Sequence, residues 1–231
     1  MNSVTSLPMQ PAANASFLCA AATPTLRALP AAGAWCHDQF VGPVRALARH
    51  DDPLTEASNW VALLIGTHLP FWPLYIWLSA GAQALPSALL SAAMTPVFLI
   101  IPLLSRRSAL AGRMAMLLAG VANTVLTIWV LGENSGAVLF LGPCAALAAV
   151  LFRPNERWLM LCFTLLPLAA WYVLRTYAPV PLHRYDAAAA LKIFELHAIS
   201  VGVLIAAFGW LQVDIYQRME QHSCAGRVAC E

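Results

Sequence analysis

The stretch from Asn59 to Ser79, NWVALLIGTHLPFWPLYIWLS, decides the fold class. It contains no Asp, Glu, Lys or Arg, and it is as long as the roughly 20 apolar residues a helix needs to cross about 30 Å of hydrocarbon. Working outward, five further runs have the same character: Leu85 to Leu104, Arg113 to Leu131, Ala137 to Phe152, Trp158 to Leu174 and Leu191 to Leu211. The runs are continuously apolar rather than alternating, which excludes a membrane β-barrel. Of the 231 residues 60% are hydrophobic and only 10% charged, with a mean hydropathy of +0.69. Soluble domains sit nearer about 45–50% apolar and about 25% charged. The chain is therefore expected to be an all-α membrane protein, a bundle of six transmembrane helices. This composition excludes a disordered chain and a nucleic-acid binder built on a basic surface.

Loop charges give the direction. With the N-terminus in the cytoplasm, Arg27, Arg45, Arg49, Arg106, Arg107, Arg113, Arg153, Arg157, Arg218 and Arg227 all fall inside, and Arg175, Arg184 and Lys192 fall outside. That excess of inner arginines follows the positive-inside rule and places both termini of the multi-pass chain in the cytoplasm. Residues 1–36 are rich in Ala, Pro, Ser and Thr with Arg27 as their only charged side chain, and read as a flexible tail without the basic n-region and apolar h-region of a signal peptide. Residues 37–58 read as a cytoplasmic amphipathic lead-in, with Phe40, Val41, Val44 and Leu47 set against Arg45 and Arg49. It either lies on the inner membrane surface or is held by the first span. Asp51 and Asp52 read as a solvated start to that span.

Within the spans, prolines are unevenly spread. Pro70 and Pro73 interrupt the first, Pro86, Pro96 and Pro102 the second, Pro143 the fourth and Pro167 the fifth, whereas the third and sixth have none. A proline removes a backbone donor and kinks a helix, so the third and sixth spans are expected to be straight. Ionisable and amide groups inside a bilayer are costly and usually face the protein. His68, Asn123, Glu195 and His197 are therefore the candidate ligand-binding residues, as contacts for a ligand, a metal or a proton, or as the lining of a path in a small transporter or channel. Glu195 and His197 lie about 200° apart around a helix and do not share a face. Lys192 stands three residues before Glu195, a spacing that suits an ion pair.

No catalytic constellation is present: there is no HExxH, Ser-His-Asp order or Gly-rich phosphate loop. Cys19, Cys36, Cys144, Cys162, Cys224 and Cys230 show no CxxC or zinc-ligand spacing. The sequence names no metal, no cofactor and no nucleic-acid partner, and its partner by composition is the lipid bilayer.

The sixth span does not stop at the interface. It continues as LQVDIYQRMEQH, with Leu211, Ile215 and Met219 four apart, so 59–211 reads as the transmembrane domain and 212–231 as an exit helix followed by a short tail, HSCAGRVACE, without an element of its own. Gly202-xxx-Ala206 gives the sixth helix a small-residue face suited to close packing in a homodimer with the exit helix.

Two stretches carry a resemblance: Leu131-Gly-Glu-Asn-Ser-Gly-Ala-Val-Leu-Phe-Leu-Gly-Pro143 and Leu151-Phe-Arg-Pro-Asn-Glu-Arg157. A short outer turn of type G-x-x-S-G, a span ending in Leu-Phe and an arginine-bearing inner turn resemble bacterial six-helix membrane sensor modules. Those modules precede diguanylate cyclase, class III adenylate cyclase or histidine kinase domains. The resemblance implies a sensory and signal-coupling role toward a cytoplasmic signalling domain or protein. No cyclase or kinase sequence follows, so no catalytic activity is implied for this chain.

Overall fold

The structure is a computed structural model that describes residues 42–177, 180–182 and 184–228, without the side chains of Gln83 and of residues 218–228. The tail expected over residues 1–36 and the first part of the lead-in lie outside the described residues, as does the side chain of Met219. Among the described residues every regular element is helical.

A short helix, α1, covers residues 42–48. The first span is α2 (Pro53–His68), a 3-10 turn (Leu69–Phe71) and α3 (Trp72–Ala80). It starts at Pro53, earlier than the apolar run predicts. Pro at N1 loses no bond, because its N–H would have had no partner. The polar first turns are buried against the bundle, with Thr55, Ser58 and Asn59 all inaccessible. Asn59 Nδ2 donates to the Ala48 carbonyl (3.1 Å) and ties α1 to α2. The 3-10 turn falls where Pro70 and Pro73 withhold the donors that an α-helix would use.

The second span is likewise split, into α4 (Leu85–Ser91) and α5 (Thr95–Arg107), with Pro96 in the first turn of α5. The third is α6 (Ala109–Leu131), unbroken, its start capped by Ser108 Oγ accepting from the Ala111 N–H (3.3 Å). Here Gly112 lets α6 press onto α5: a Cβ at this position would lie 2.9 Å from Ser105 Cα. Ser105 in turn donates to Asn59 Oδ1 (2.7 Å), so α2, α5 and α6 meet through one glycine and two polar side chains.

A 3-10 segment (Ala137–Phe140) leads into α7 (Leu141–Leu151), which is followed by α8 (Arg157–Thr176) and α9 (Ala187–Val228). The last helix runs unbroken for 42 residues, through the stretch expected to be a tail without structure. Residues 222–228 contain no proline, and a helix already nucleated extends at little cost.

Five of these stretches are long and apolar enough to cross a bilayer: Pro53–Ala80, Leu85–Arg107, Ala109–Leu131, Pro154–Thr176 and Ala187–Gln217. The fourth expected span is the shorter apolar helix Ala137–Leu151, about 22 Å long at about 1.5 Å per residue.

Packing divides along the bundle axis. At the arginine-bearing end Val61, Ala62, Phe98, Ile101, Met116, Leu117, Leu147 and Leu151 form one buried cluster, while at the opposite end Ile76, Ala84, Ala88, Val130, Leu131 and Ile193 form another. The helix α8 stands at the periphery, exposing Trp158, Leu161, Leu165, Leu168, Trp171 and Tyr172. In water that face would be untenable, and in a bilayer it is ordinary lipid contact.

Candidate functional site

Two polar constructions stand out from this apolar bundle, one at each end. The first surrounds Arg113, expected from the sequence to be an inner boundary charge. It is instead 2% exposed and lies inside α6. Its guanidinium donates to both carboxylate oxygens of Glu156 (2.9 and 3.0 Å) and to the Leu151 carbonyl (2.6 Å), and its Nε lies 3.8 Å from Asp52 Oδ2. Phe152 stacks under the cation at 5.9 Å. Glu156 is held for this role by its turn, since its Oε2 also accepts from the Arg153 N–H (3.0 Å) at the head of the 3-10 segment Pro154–Glu156.

Asp52 corrects a second expectation. Asp51 is exposed, but Asp52 is buried and accepts from Thr55 Oγ1 and from Arg153 Nη2 (3.0 Å). Burial pushes its carboxyl up, but the bonds from Thr55 and Arg153 and the charges of Arg113 and Arg153 outweigh that and hold it below its ordinary value. The same partner raises the Arg153 guanidinium. Two cations and two anions thus join the start of α2, the first turns of α6 and the α7–α8 turn.

At the opposite end the chain turns from α6 into α7 through Gly132-Glu-Asn-Ser-Gly136. Gly132 (φ +87°) and Gly136 (φ +78°) both occupy conformations that favour glycine. Ser135 Oγ donates back to the Gly132 carbonyl (2.6 Å). Against this turn lies α9. The Phe194 ring packs onto Gly136 so closely that a Cβ there would lie 2.5 Å from Cδ2. One turn further on, His197 is 1% exposed, with Nδ1 2.6 Å from the Ser135 carbonyl. A carbonyl only accepts, so Nδ1 carries the proton. The imidazole is sandwiched by Trp72 (4.7 Å between centroids) and, edge-on, by Phe140 (5.5 Å). Tyr75 adds a long bond to the Lys192 carbonyl (3.4 Å). One histidine therefore holds α9 to α3, to the glycine turn and to the segment leading into α7.

Beside this clamp a cleft of about 350 Å³ opens between the Gly132–Ser135 turn, Pro181, Arg184 and Tyr185, and the first turns of α9 at Ala190 and Ile193. Its rim carries Glu133, Asn134 and Arg184, all exposed.

The four residues expected to line a site are not gathered. Among the described residues no hydrogen bond, ion pair or ring contact joins any two of them. His68 is exposed, its Nδ1 3.2 Å from the Leu64 carbonyl of its own helix. Glu195 is exposed and makes no ion pair with Lys192. Asn123 is half-buried, its backbone carbonyl accepting from Thr127 (2.8 Å) and its Oδ1 buried without a partner. Only His197 sits in a built environment. Among the described residues no three His, Cys, Asp or Glu side chains are grouped to hold a metal.

The Arg113 network is distant in sequence, its bidentate partner Glu156 lying 43 residues away, although the turn at 153–156, where Glu156 accepts from the Arg153 N–H, is a local signal that Glu156 is oriented. No curated protein and no solved structure matches the chain. A family model, MASE7, matches residues 51–222. The match begins one residue before the buried Asp52 and ends within the long last helix, taking in both polar constructions, and the chain belongs to the MASE7 family of membrane-associated sensor domains.

Proposed function

We propose that this membrane sensor domain passes its signal through α9 to a cytoplasmic output. The carrying observation is the continuity of α9. It starts beside the glycine turn, is gripped there by His197, and runs as one helix past Gln217, where its membrane-capable stretch ends, to Val228. At about 1.5 Å per residue that is about 63 Å, twice the hydrocarbon thickness. A displacement of the turn is thereby delivered beyond the bilayer without crossing a loop.

In this reading the bundle has six crossings, with Ala137–Leu151 as the fourth and both termini in the cytoplasm of a bacterial inner membrane. The bond from Arg113 near the start of α6 to the carbonyl of Leu151 at the end of α7 supports a return crossing, since it brings those two helix ends together. A homodimer forms through the sixth helix and exit helix, where Gly202, Ala206 and Gly209 are exposed, with open space around the two glycines. The output is a cytoplasmic signalling domain or a separate signalling protein. No observation favours a transport path.

The test uses spin labels at exposed Arg106 and Gln217 of the full chain in lipid nanodiscs. His197→Ala should shift or broaden the distance between them while the helix content stays unchanged. An unaltered distance in a folded His197→Ala protein overturns the coupling reading. Membrane-impermeant thiol labelling of Ala82→Cys and Arg106→Cys in intact cells tests the topology, with only the first expected to react.

A further inference from the structure

We propose that the cleft beside the glycine turn binds a small zwitterion with an apolar body, an apolar α-amino acid being the simplest case. Its floor is apolar, formed by Leu131, Ile193 and Pro181, with the half-buried Tyr185 as an aromatic wall. Its rim presents one carboxylate, Glu133, and one guanidinium, Arg184. Both line the same cleft of about 350 Å³, and among the described residues neither makes an ion pair or a side-chain hydrogen bond, so both charges are available to a ligand. No N···O distance between them is 4.0 Å or less.

A ligand carrying an ammonium and a carboxylate on one carbon satisfies both without bringing them together, and its side chain covers the apolar floor. The volume lies at the lower end of small-molecule sites. The occupant would also touch the mechanism. The cleft is backed by Ser135, whose carbonyl is the one His197 grips, so a ligand held by Glu133 bears directly on the turn that holds α9. In that consequence the inference rests on the sensor reading, although binding itself does not.

The full chain in nanodiscs is titrated with leucine, followed by calorimetry. Saturable binding is expected, weakened at least about tenfold with N-acetylleucine, which lacks the ammonium, and with leucinamide, which lacks the carboxylate, because each loses a charge-assisted bond. Glu133→Gln should erase the preference for leucine over N-acetylleucine, and Arg184→Gln the preference over leucinamide. Arg107→Gln, which alters an exposed charge at the opposite end of the bundle, should change neither. Both rim side chains are exposed, so these variants are expected to keep the melting behaviour of the parent.

Absence of saturable leucine binding, or equal affinities for the three compounds, overturns the proposal. Label distances recorded on the same samples keep the two readings apart. Leucine binding without movement of α9 leaves the cleft standing and overturns the coupling. Movement on His197→Ala without leucine binding overturns the cleft alone.

Discussion

Arg113 and Glu156 face one another as a fork and its acceptor, two parallel N–H···O bonds of 2.9 and 3.0 Å between a buried guanidinium and a carboxylate whose side chain is 17% exposed, at one end of the bundle. Removing one partner of such a pair leaves a buried charge uncompensated, at a cost of about 3–5 kcal/mol. Glu156→Gln is expected to fall at the lower end of that range, because Asp52 and the Leu151 carbonyl still face the cation. Arg113→Lys should not restore the parent, since an ammonium lacks the fork that reaches Glu156 and Leu151 together. The double variant Arg113→Met, Glu156→Leu should be more stable than either single truncation. Thermal melts of the four proteins in one lipid mixture check this.

Asp52 gives the same end of the bundle an acid limit. Its folded carboxyl lies below the ordinary 3.8, so the folded protein keeps it ionised where the unfolded chain would take up a proton. The resulting stability is fully present above that ordinary value and is lost as pH falls through the lower, folded one. Stability should therefore be insensitive to this group from neutral pH down to about 5. Below that, the parent is expected to lose stability relative to Asp52→Asn, whose melting temperature starts lower and carries less of the acid slope. Paired melts across the acid range read the difference directly.

Gly136 combines a left-handed backbone with a phenyl ring at van der Waals distance. Gly136→Ala meets two obstacles, about 1 kcal/mol of backbone strain and a collision with Phe194. Trimming the ring in Gly136→Ala, Phe194→Leu should recover the second part and not the first. The order parent, double variant, single variant in melting temperature is the expected result.

His197→Phe keeps the ring between Trp72 and Phe140 but leaves the Ser135 carbonyl without its donor. An unpaired buried acceptor costs about 1–3 kcal/mol, so the variant should fold and melt early. Hydrogen exchange is expected to rise around Ser135 and the first turns of α9 and to stay low around Leu151.

The apolar runs announced the helices because lipid leaves a chain no alternative to satisfying its backbone internally, a local requirement written into each span. The prolines likewise announced the breaks at Leu69–Phe71 and between α4 and α5. Helix starts were less legible. Pro53, Thr55 and Ser58 look like loop residues until the neighbouring helices that bury them are in place. The sign of a charge gave Arg113 a side of the membrane but not a partner, since pairing with Glu156 depends on how α6 meets the α7–α8 turn. His197 was legible as an unusual residue in a span. Its acceptor is a main-chain oxygen 62 residues away, which no side-chain pattern encodes. The cleft was invisible for a related reason: Glu133 and Arg184 belong to different loops and come to line one cleft only through the fold.

The outward face of α8 has one more consequence. Its exposed aromatic residues sit near its two ends, Trp158 at one and Trp171, Tyr172 and Tyr177 at the other. Trp158 and Tyr177 are separated by about 28 Å along the axis, close to the thickness of a hydrocarbon layer. Indole and phenol rings prefer the headgroup boundary. Exposed Trp77 and Trp129 lie toward the glycine-turn end and exposed Trp210 toward the other, which extends both belts around the bundle. The vertical position of the protein in its bilayer is therefore set by two girdles of rings, independently of the arginines that decide which way up it stands.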